Sequence, residues 1–202
     1  MAKNQRYQAV LLFGGPGCGK GTQGAALAGL PNICHLAMGD IFRALDKQSD
    51  IGKEFLSYST KGLLVPDELT LRVWKRHVEG RVAAGDIRVD YHILLLDGIP
   101  RTTEQVERMS PLVDVKRVVH LVIRDDRVLV ARLKGRAFKQ DRPDDMDESV
   151  IRRRIAEYQE KTAPVLAAYP PALVSEINAD QSPFAVLRDI AGCLAKHLPA
   201  TI

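Results

Sequence analysis

Short, almost unbroken apolar runs alternate along this chain with longer segments in which apolar positions recur at helical spacing among charged ones. The runs at 9–13, 33–36, 93–96, 117–123 and 172–177 predict five strands, and their continuity predicts parallel strands covered on both faces. The periodic segments predict helices at 20–30, 40–47, 51–60, 67–84, 103–113, 127–136, 147–169 and 184–197, with Ser182-Pro183 as a start signal for the last. Strand and helix in regular alternation is the pattern of an α/β fold, and there is no internal repeat or low-complexity linker. Two stretches exceed what a connection needs, 39–84 and 135–147. Moving lids are usually found in excursions of this kind.

Composition narrows the picture. With 202 residues, 46% of them hydrophobic, the chain can bury a good core as one domain with insertions, or as one domain and a half. Aromatic residues make up only 5%, so that core should be aliphatic. A formal charge of +4 without a basic stripe does not call for nucleic acid, since an enzyme holding anionic ligands leans basic too. The three cysteines, Cys18, Cys34 and Cys193, are odd in number, widely spaced and free of any paired spacing, which points away from a disulfide framework or structural zinc and toward a reducing cytoplasm. The first eight residues are polar and basic with no apolar signal core, and no run approaches membrane-spanning length.

The first candidate chemistry follows the first strand. Gly14-Gly15-Pro16-Gly17-Cys18-Gly19-Lys20-Gly21-Thr22 lies between an apolar run and a helix. Its glycines let backbone N–H groups turn inward, and the helix start adds unpaired donors and a positive dipole end, so the concavity suits a polyphosphate within reach of Lys20. The spacing fits the phosphate-loop pattern, except that Gly21 occupies the first Ser/Thr position and Thr22 follows it.

The carboxyl ends of the next strands should border the same crevice. The second ends in Ala37-Met38-Gly39-Asp40, where Gly39 permits a tight turn, Asp40 can cap the next helix, and Arg43 sits one turn in, placed to fork onto a phosphate. Taken alone, that string also fits a capped helix with a surface arginine. Gly62-Leu63-Leu64-Val65-Pro66-Asp67-Glu68 ends one helix and begins another. The third strand runs into Asp97-Gly98-Ile99-Pro100-Arg101, with Gln105 one turn on: an acid placed to hold magnesium through water, a planar fork for phosphate, and an amide able to read a base edge. Farther along, Arg132 and Arg136 share a helix face, followed by Arg142, Asp144-Asp145 and Arg154. Such a pair is often solvated surface, but phosphoryl transfer needs positive charge on a closing segment. Arg152 and Arg153 compete with Arg154 for that role.

Together these strings resemble the adenylate kinase family. The loop at 14–22, Gly39-Asp40 with Arg43, the string at 62–68, Asp97-Gly98-Ile99-Pro100-Arg101-Thr102, Arg142-Pro143-Asp144-Asp145, Tyr158, Thr162-Ala163-Pro164 and Asn178 follow the family's order over nearly the whole chain. The resemblance implies a doubly wound, five-stranded parallel sheet of order 2-3-1-4-5. It implies one domain, 1–202, with a helical monophosphate-binding insertion at about 38–67 and a short lid at about 136–146 that lacks the zinc-binding cysteines of long-lid relatives. The implied reaction is reversible transfer of the γ-phosphoryl of MgATP to AMP, giving two ADP, in a cytoplasmic monomer with neither nucleic acid nor membrane as partner.

The resemblance also assigns residues. Gly15, Gly17, Cys18, Gly19, Lys20, Gly21 and Thr22 would hold the ATP phosphates, with Arg132 and Arg136 over the nucleotide. Arg43, Arg101, Arg142 and Arg154 would clamp the AMP phosphate and the transferring group. Met38, Leu63, Leu64, Val65, Gly98 and Gln105 would line the AMP base, Lys20, Arg101, Arg136, Arg142 and Arg154 would carry catalysis, and Asp97 would hold Mg2+. Two departures stand out: Ala37 and Met38 occupy positions where the family often has Ser or Thr, and Ile99 replaces a phenylalanine. The alternatives are a UMP/CMP-type kinase, to which Gln105 and the lack of an Asn-rich pyrimidine signature run counter, and a non-catalytic nucleotide-binding module.

Overall fold

The strand preceding the glycine-rich loop, β1 (Tyr7–Phe13), is the centre of the molecule. In the computed structural model, which describes residues 6–140 and 145–198, it pairs in parallel on both sides. One neighbour is β3 (Ile93–Asp97), with Leu11 opposite Leu96, and the other is β4 (Val113–Val122), with Leu11 opposite Val118. Outside these lie β2 (Ile33–Ala37), paired with β3, and β5 (Val174–Asn178), paired with β4. The order is β2-β3-β1-β4-β5, all parallel, as the family resemblance implies.

Alternation along β1 divides the core in two. Ala9, Leu11 and Phe13 face a layer that includes α2 (Met38–Arg43) and α4 (Asp67–Ala83), with Met38, Phe42 and Trp74 packed beneath them. Val10 and Leu12 face the opposite layer, of α1 (Lys20–Leu27), α6 (Asp126–Gln140), α7 (Glu148–Glu157) and α8 (Pro183–His197). Burial of this largely aliphatic core at about 25 cal/mol per Å2 of apolar area is the main favourable term holding the site's platform. Two shorter helices complete the set, α3 (Asp50–Ser59) and α5 (Thr103–Met109). No described helix is long and apolar enough to cross a membrane.

Several features differ from the sequence reading. The helix expected at 103–113 stops at Met109, and Val113 begins β4, because Met109, Leu112 and Val113 satisfy a helical repeat and a strand start equally well. The helix expected over 147–169 ends as an α-helix at Glu157 and continues as a π turn, Tyr158–Thr162, and a 3-10 segment, Ala163–Ala168. Pro164 explains part of this: it offers no N–H and its ring displaces the carbonyl four residues back. α2 starts at Met38, so Gly39 and Asp40 lie in its first turn, and Asp40 pairs with Arg43 instead of capping the helix. β5, at the sheet edge, is only half-buried and not covered on both faces. Ser182 does cap α8, accepting from the Ala185 N–H at 3.3 Å.

Candidate active site

The loop between β1 and α1 is shaped by positions that only glycine suits. Gly14 and Gly17 have φ of 145° and 85°. A Cβ on Gly14 would stand 2.5 Å from Cys18 Sγ and 2.5 Å from the Leu121 carbonyl oxygen, so the loop lies directly on β4. Gly19, left-handed at φ 100°, turns the chain into α1, and no side chain caps the first N–H groups of that helix. Lys20 leans back across the loop and donates from Nζ to the carbonyls of Gly14 at 2.6 Å and Gly15 at 3.1 Å. Its ammonium thus stands over the same concavity as the helix start.

Behind the loop, Gly15 meets the ring of Tyr158. The Tyr158 hydroxyl lies 3.0 Å from His120 Nε2. Burial, with a smaller contribution from Cys18, pushes the Tyr158 phenol well above its ordinary range, so it stays protonated. Burial lowers the His120 pKa; Glu176 opposes this and Lys20 adds to it. The loop therefore rests on a neutral hydrogen-bonded pair.

Asp97 ends β3 beside Ala37 of β2. Burial alone would raise its pKa, but His35, Lys20 and Arg101 outweigh that and hold the carboxyl below its ordinary range. His35 Nε2 is 3.9 Å from the Asp97 carboxylate and packs on Gly24 of α1, where a Cβ would come within 2.3 Å of the imidazole. A carboxylate kept ionised at the loop's edge fits a magnesium ion held through water, with its remaining ligands coming from phosphates.

Arg101 is held by its own turn, donating from Nε to the Gly98 carbonyl at 2.8 Å. Burial lowers its pKa, Asp97 offsets that in part, and the guanidiniums of Arg154 and Arg43 lower it further. Three guanidiniums gathered at one end of a crevice, each partly offset by Asp40, Asp97 or Asp145, can take a phosphate group. Gly39 contributes by having no side chain, since a Cβ there would lie 3.1 Å from the Arg43 guanidinium.

Asp145 settles which of the three consecutive arginines faces the crevice. Its carboxylate is fully buried and takes Arg136 Nε at 2.7 Å on one oxygen and Arg154 Nη1 on the other. Arg152 is instead paired with Glu148 on the outer face of α7, and Arg153 is exposed near the Lys61 carbonyl. Gly62 closes this corner: a Cβ on it would stand 3.0 Å from the Val150 carbonyl oxygen, and its φ is 72°. Arg132 reaches the far end of the crevice and donates to the Ala179 carbonyl at 3.0 Å.

One cleft of about 890 Å3 joins these parts. Its walls include Gly17, Cys18, Gly19, Lys20, Gly21, Thr22, Met38, Arg43, Leu63, Leu64, Val65, Asp97, Gly98, Arg101, Gln105, Arg132, Arg136 and Arg154. Gly15, also among the predicted residues, is not part of the lining, but its carbonyl accepts from Lys20, which is. Arg142 lies outside the described residues. Met38, 1% exposed, fills the floor with a thioether where a hydroxyl was expected of the family.

Sequence reasoning passed over several residues that the fold brings in. Asp145 carries no role of its own in the sequence beyond its place in the family-like string with Asp144, His35 and His120 fall within predicted strands, and Asp67 reads as helix punctuation. Asp67 in fact accepts from Gln105 Nε2 at 2.7 Å and from the Thr102 hydroxyl at 2.6 Å. The available signal was weak: polar residues at the mouths of apolar strands and at helix starts near a phosphate loop.

Comparison with known proteins agrees in direction. A family model described as adenylate kinase matches residues 12–173. An adenylate kinase from Kocuria rhizophila is 40% identical over 165 residues, covering 79% of this chain and 84% of that protein. One from a Cyanothece species is 39% identical over 79% of this chain and 80% of its own length. One from a Synechococcus species, 36% identical, aligns over 93% of this chain and 99% of its own.

Proposed function

The chain belongs to the adenylate kinase family and is a nucleoside monophosphate kinase, and from that premise we propose that the cleft moves the γ-phosphoryl of MgATP to AMP, reversibly, to give two ADP. The observation that carries the reading is convergence: Lys20 and the phosphate loop line the same cleft as the grouped Arg43, Arg101 and Arg154. Donor and acceptor phosphates can meet between them. A phosphate oxygen of AMP forms the new bond to the γ-phosphorus as the bond to the β,γ-bridging oxygen breaks, and ADP leaves. No protein nucleophile and no covalent intermediate are needed.

The protein contributes position and charge. Lys20 and the loop N–H groups hold the donor chain, while Arg101 and Arg154 spread the negative charge that builds on the equatorial oxygens. Arg136 and Arg132 cover the donor nucleotide, and Arg142 completes the clamp. Asp97 would hold, through water, the Mg2+ that comes with ATP, and the ion would supply neutralisation of phosphate charge there. Met38, Leu63, Leu64, Val65 and Gly98 form the wall for the acceptor base and Gln105 reads its edge.

The insertion at about 38–67 and the segment at about 136–146 close over the cleft and keep water from acting as acceptor. Support comes from the many cleft residues that these two segments supply, Arg43 and Leu63 to Val65 from one and Arg136 from the other. All the groups named belong to one chain, which supports reading the monomer as the acting unit. Cys18, Cys34 and Cys193 are free thiols, in keeping with a cytoplasmic setting.

A coupled assay of ADP formation from MgATP, with AMP, dAMP, GMP, CMP or UMP as acceptor and an acceptor-free control, tests this reading. Turnover with AMP well above the other ribonucleotides is expected. Preference for UMP or CMP would transfer the function to a pyrimidine-type kinase, and ATP loss independent of acceptor would reject the kinase reading.

A further inference from the structure

We propose that Asp67 is a positioning residue that sets the choice of acceptor base, by locking the side-chain amide of Gln105 in one of its two orientations. The inference rests on the AMP-kinase reading and extends it to a residue outside the cleft's wall.

An amide has two faces of opposite sense. Gln105 carries two N–H donors on Nε2 and two lone pairs on Oε1, and a half-turn about its last bond exchanges them. Adenine offers an acceptor at N1 and a donor at its 6-amino group. Hypoxanthine and guanine offer the reverse, a donor at N1 and an acceptor at O6. A glutamine free to turn therefore pairs with either class, and one that is fixed pairs with one.

Here both ends of the amide are fixed, each by a partner of a single polarity. Nε2 donates to Asp67 Oδ1 at 2.7 Å, and a carboxylate offers only acceptors. Oε1 accepts from the Arg101 backbone N–H at 2.7 Å, which can only donate. The two constraints agree, so the orientation follows from the network itself. The flipped amide would set Oε1 against the Asp67 carboxylate and Nε2 against the Arg101 N–H, breaking both bonds. Gln105 is 1% exposed, so no solvent would make up the loss.

Asp67 is in turn held by Thr102, whose hydroxyl donates to Oδ2 at 2.6 Å while accepting from the Gln105 backbone N–H at 3.1 Å. Two helix starts, those of α4 and α5, are thereby tied through one carboxylate. After these bonds Gln105 retains one N–H and one lone pair. That remaining pair is what a base edge meets, and its sense is set by Asp67 acting together with the Arg101 N–H, so that loss of Asp67 leaves the amide held at one end only.

The test is kcat/KM for AMP and for IMP, with saturating MgATP, in the wild-type enzyme and in Asp67→Ala and Asp67→Asn, with thermal midpoints recorded alongside. Wild type should prefer AMP strongly, since a site built to bond one pattern rejects its reverse. In Asp67→Ala the AMP-to-IMP ratio should fall by about tenfold or more, mostly through KM for the monophosphate, with KM for ATP unchanged. In Asp67→Asn, whose amide can itself turn, the ratio should fall by at least about threefold, and this variant decides if the alanine form does not fold. A purely structural role would lower the midpoint and leave the ratio alone. An unaltered ratio in the folded variants overturns the inference while leaving the kinase reading intact, whereas a wild-type protein inert toward AMP overturns the reading itself.

Discussion

The two ends of the cleft are built by different means. At the proposed donor end the backbone does the work: Gly14, Gly17 and Gly19 take conformations that other residues rarely adopt, and the start of α1 has no side-chain cap on its N–H groups. At the proposed acceptor end side chains do most of the holding, with Asp67, Thr102 and Gln105 in a hydrogen-bonded set that the Arg101 N–H joins, and Arg154 tied through Asp145 to Arg136 of the proposed donor side. A backbone cradle recognises what all nucleotides share, the phosphate chain. A side-chain network can tell one base from another. The division suits an enzyme whose donor and acceptor differ in where the information lies.

Substitutions should separate the two kinds of construction. Lys20→Met removes the only described side-chain ammonium at the loop's mouth and should lower kcat by about 10^3-fold or more while far-UV dichroism stays that of the wild type. Near-normal turnover would remove Lys20 from the mechanism. Gly14→Ala should cost about 3 kcal/mol in urea unfolding, because the added methyl meets the Leu121 carbonyl at 2.5 Å and the backbone is left-handed. An unchanged midpoint would show that the loop can shift away from β4.

At the acceptor end, Arg154→Ala should reduce kcat by about 10^2-fold, whereas Arg152→Ala and Arg153→Ala, whose side chains lie on exposed positions of α7, should stay within about twofold. Equal losses at all three would mean that Asp145 does not select among them. Gln105→Leu should raise KM for AMP by about tenfold and spare KM for ATP. A matching rise in both would place Gln105 in the fold and not at the base.

The smallest effect is on stability against pH. Burial holds the folded His120 below its ordinary value of 6.5, and His77 is lowered likewise by burial and by Arg81. Below that ordinary value the unfolded chain takes up protons that the folded chain refuses, so stability is full above it and drains as pH falls toward the folded values. The thermal midpoint should drop between about pH 7.5 and pH 5.5, and His120→Gln should make the drop shallower. A midpoint that rises on acidification would contradict the assigned sign.

What could be read from the chain divides along the same line as the site. β1, the loop glycines and Lys20 were legible because apolar runs and glycine spacing are local and backbone conformation follows from them. The sheet order came from family likeness, and the strand pairings bear it out. The link between Asp67 and Gln105 was not legible, since it joins the starts of two helices that only the folded chain brings together. Arg154 stood beside two identical neighbours, and its pairing with the buried Asp145 and its place in the cleft distinguish it in the folded chain. Gly39 and Asp40 misled for a related reason: a glycine followed by an aspartate signals a turn and a cap, yet β2 runs into α2 at Ala37 with neither.

The most direct test of the central claim, that this cleft hands a phosphoryl group to AMP and withholds it from water, is a single-turnover experiment with ATP labelled at the γ-phosphate. Mixed with enzyme and AMP, the label should appear in the β-position of ADP, with only a trace in inorganic phosphate. Label accumulating as inorganic phosphate at the same rate with or without AMP would contradict the account.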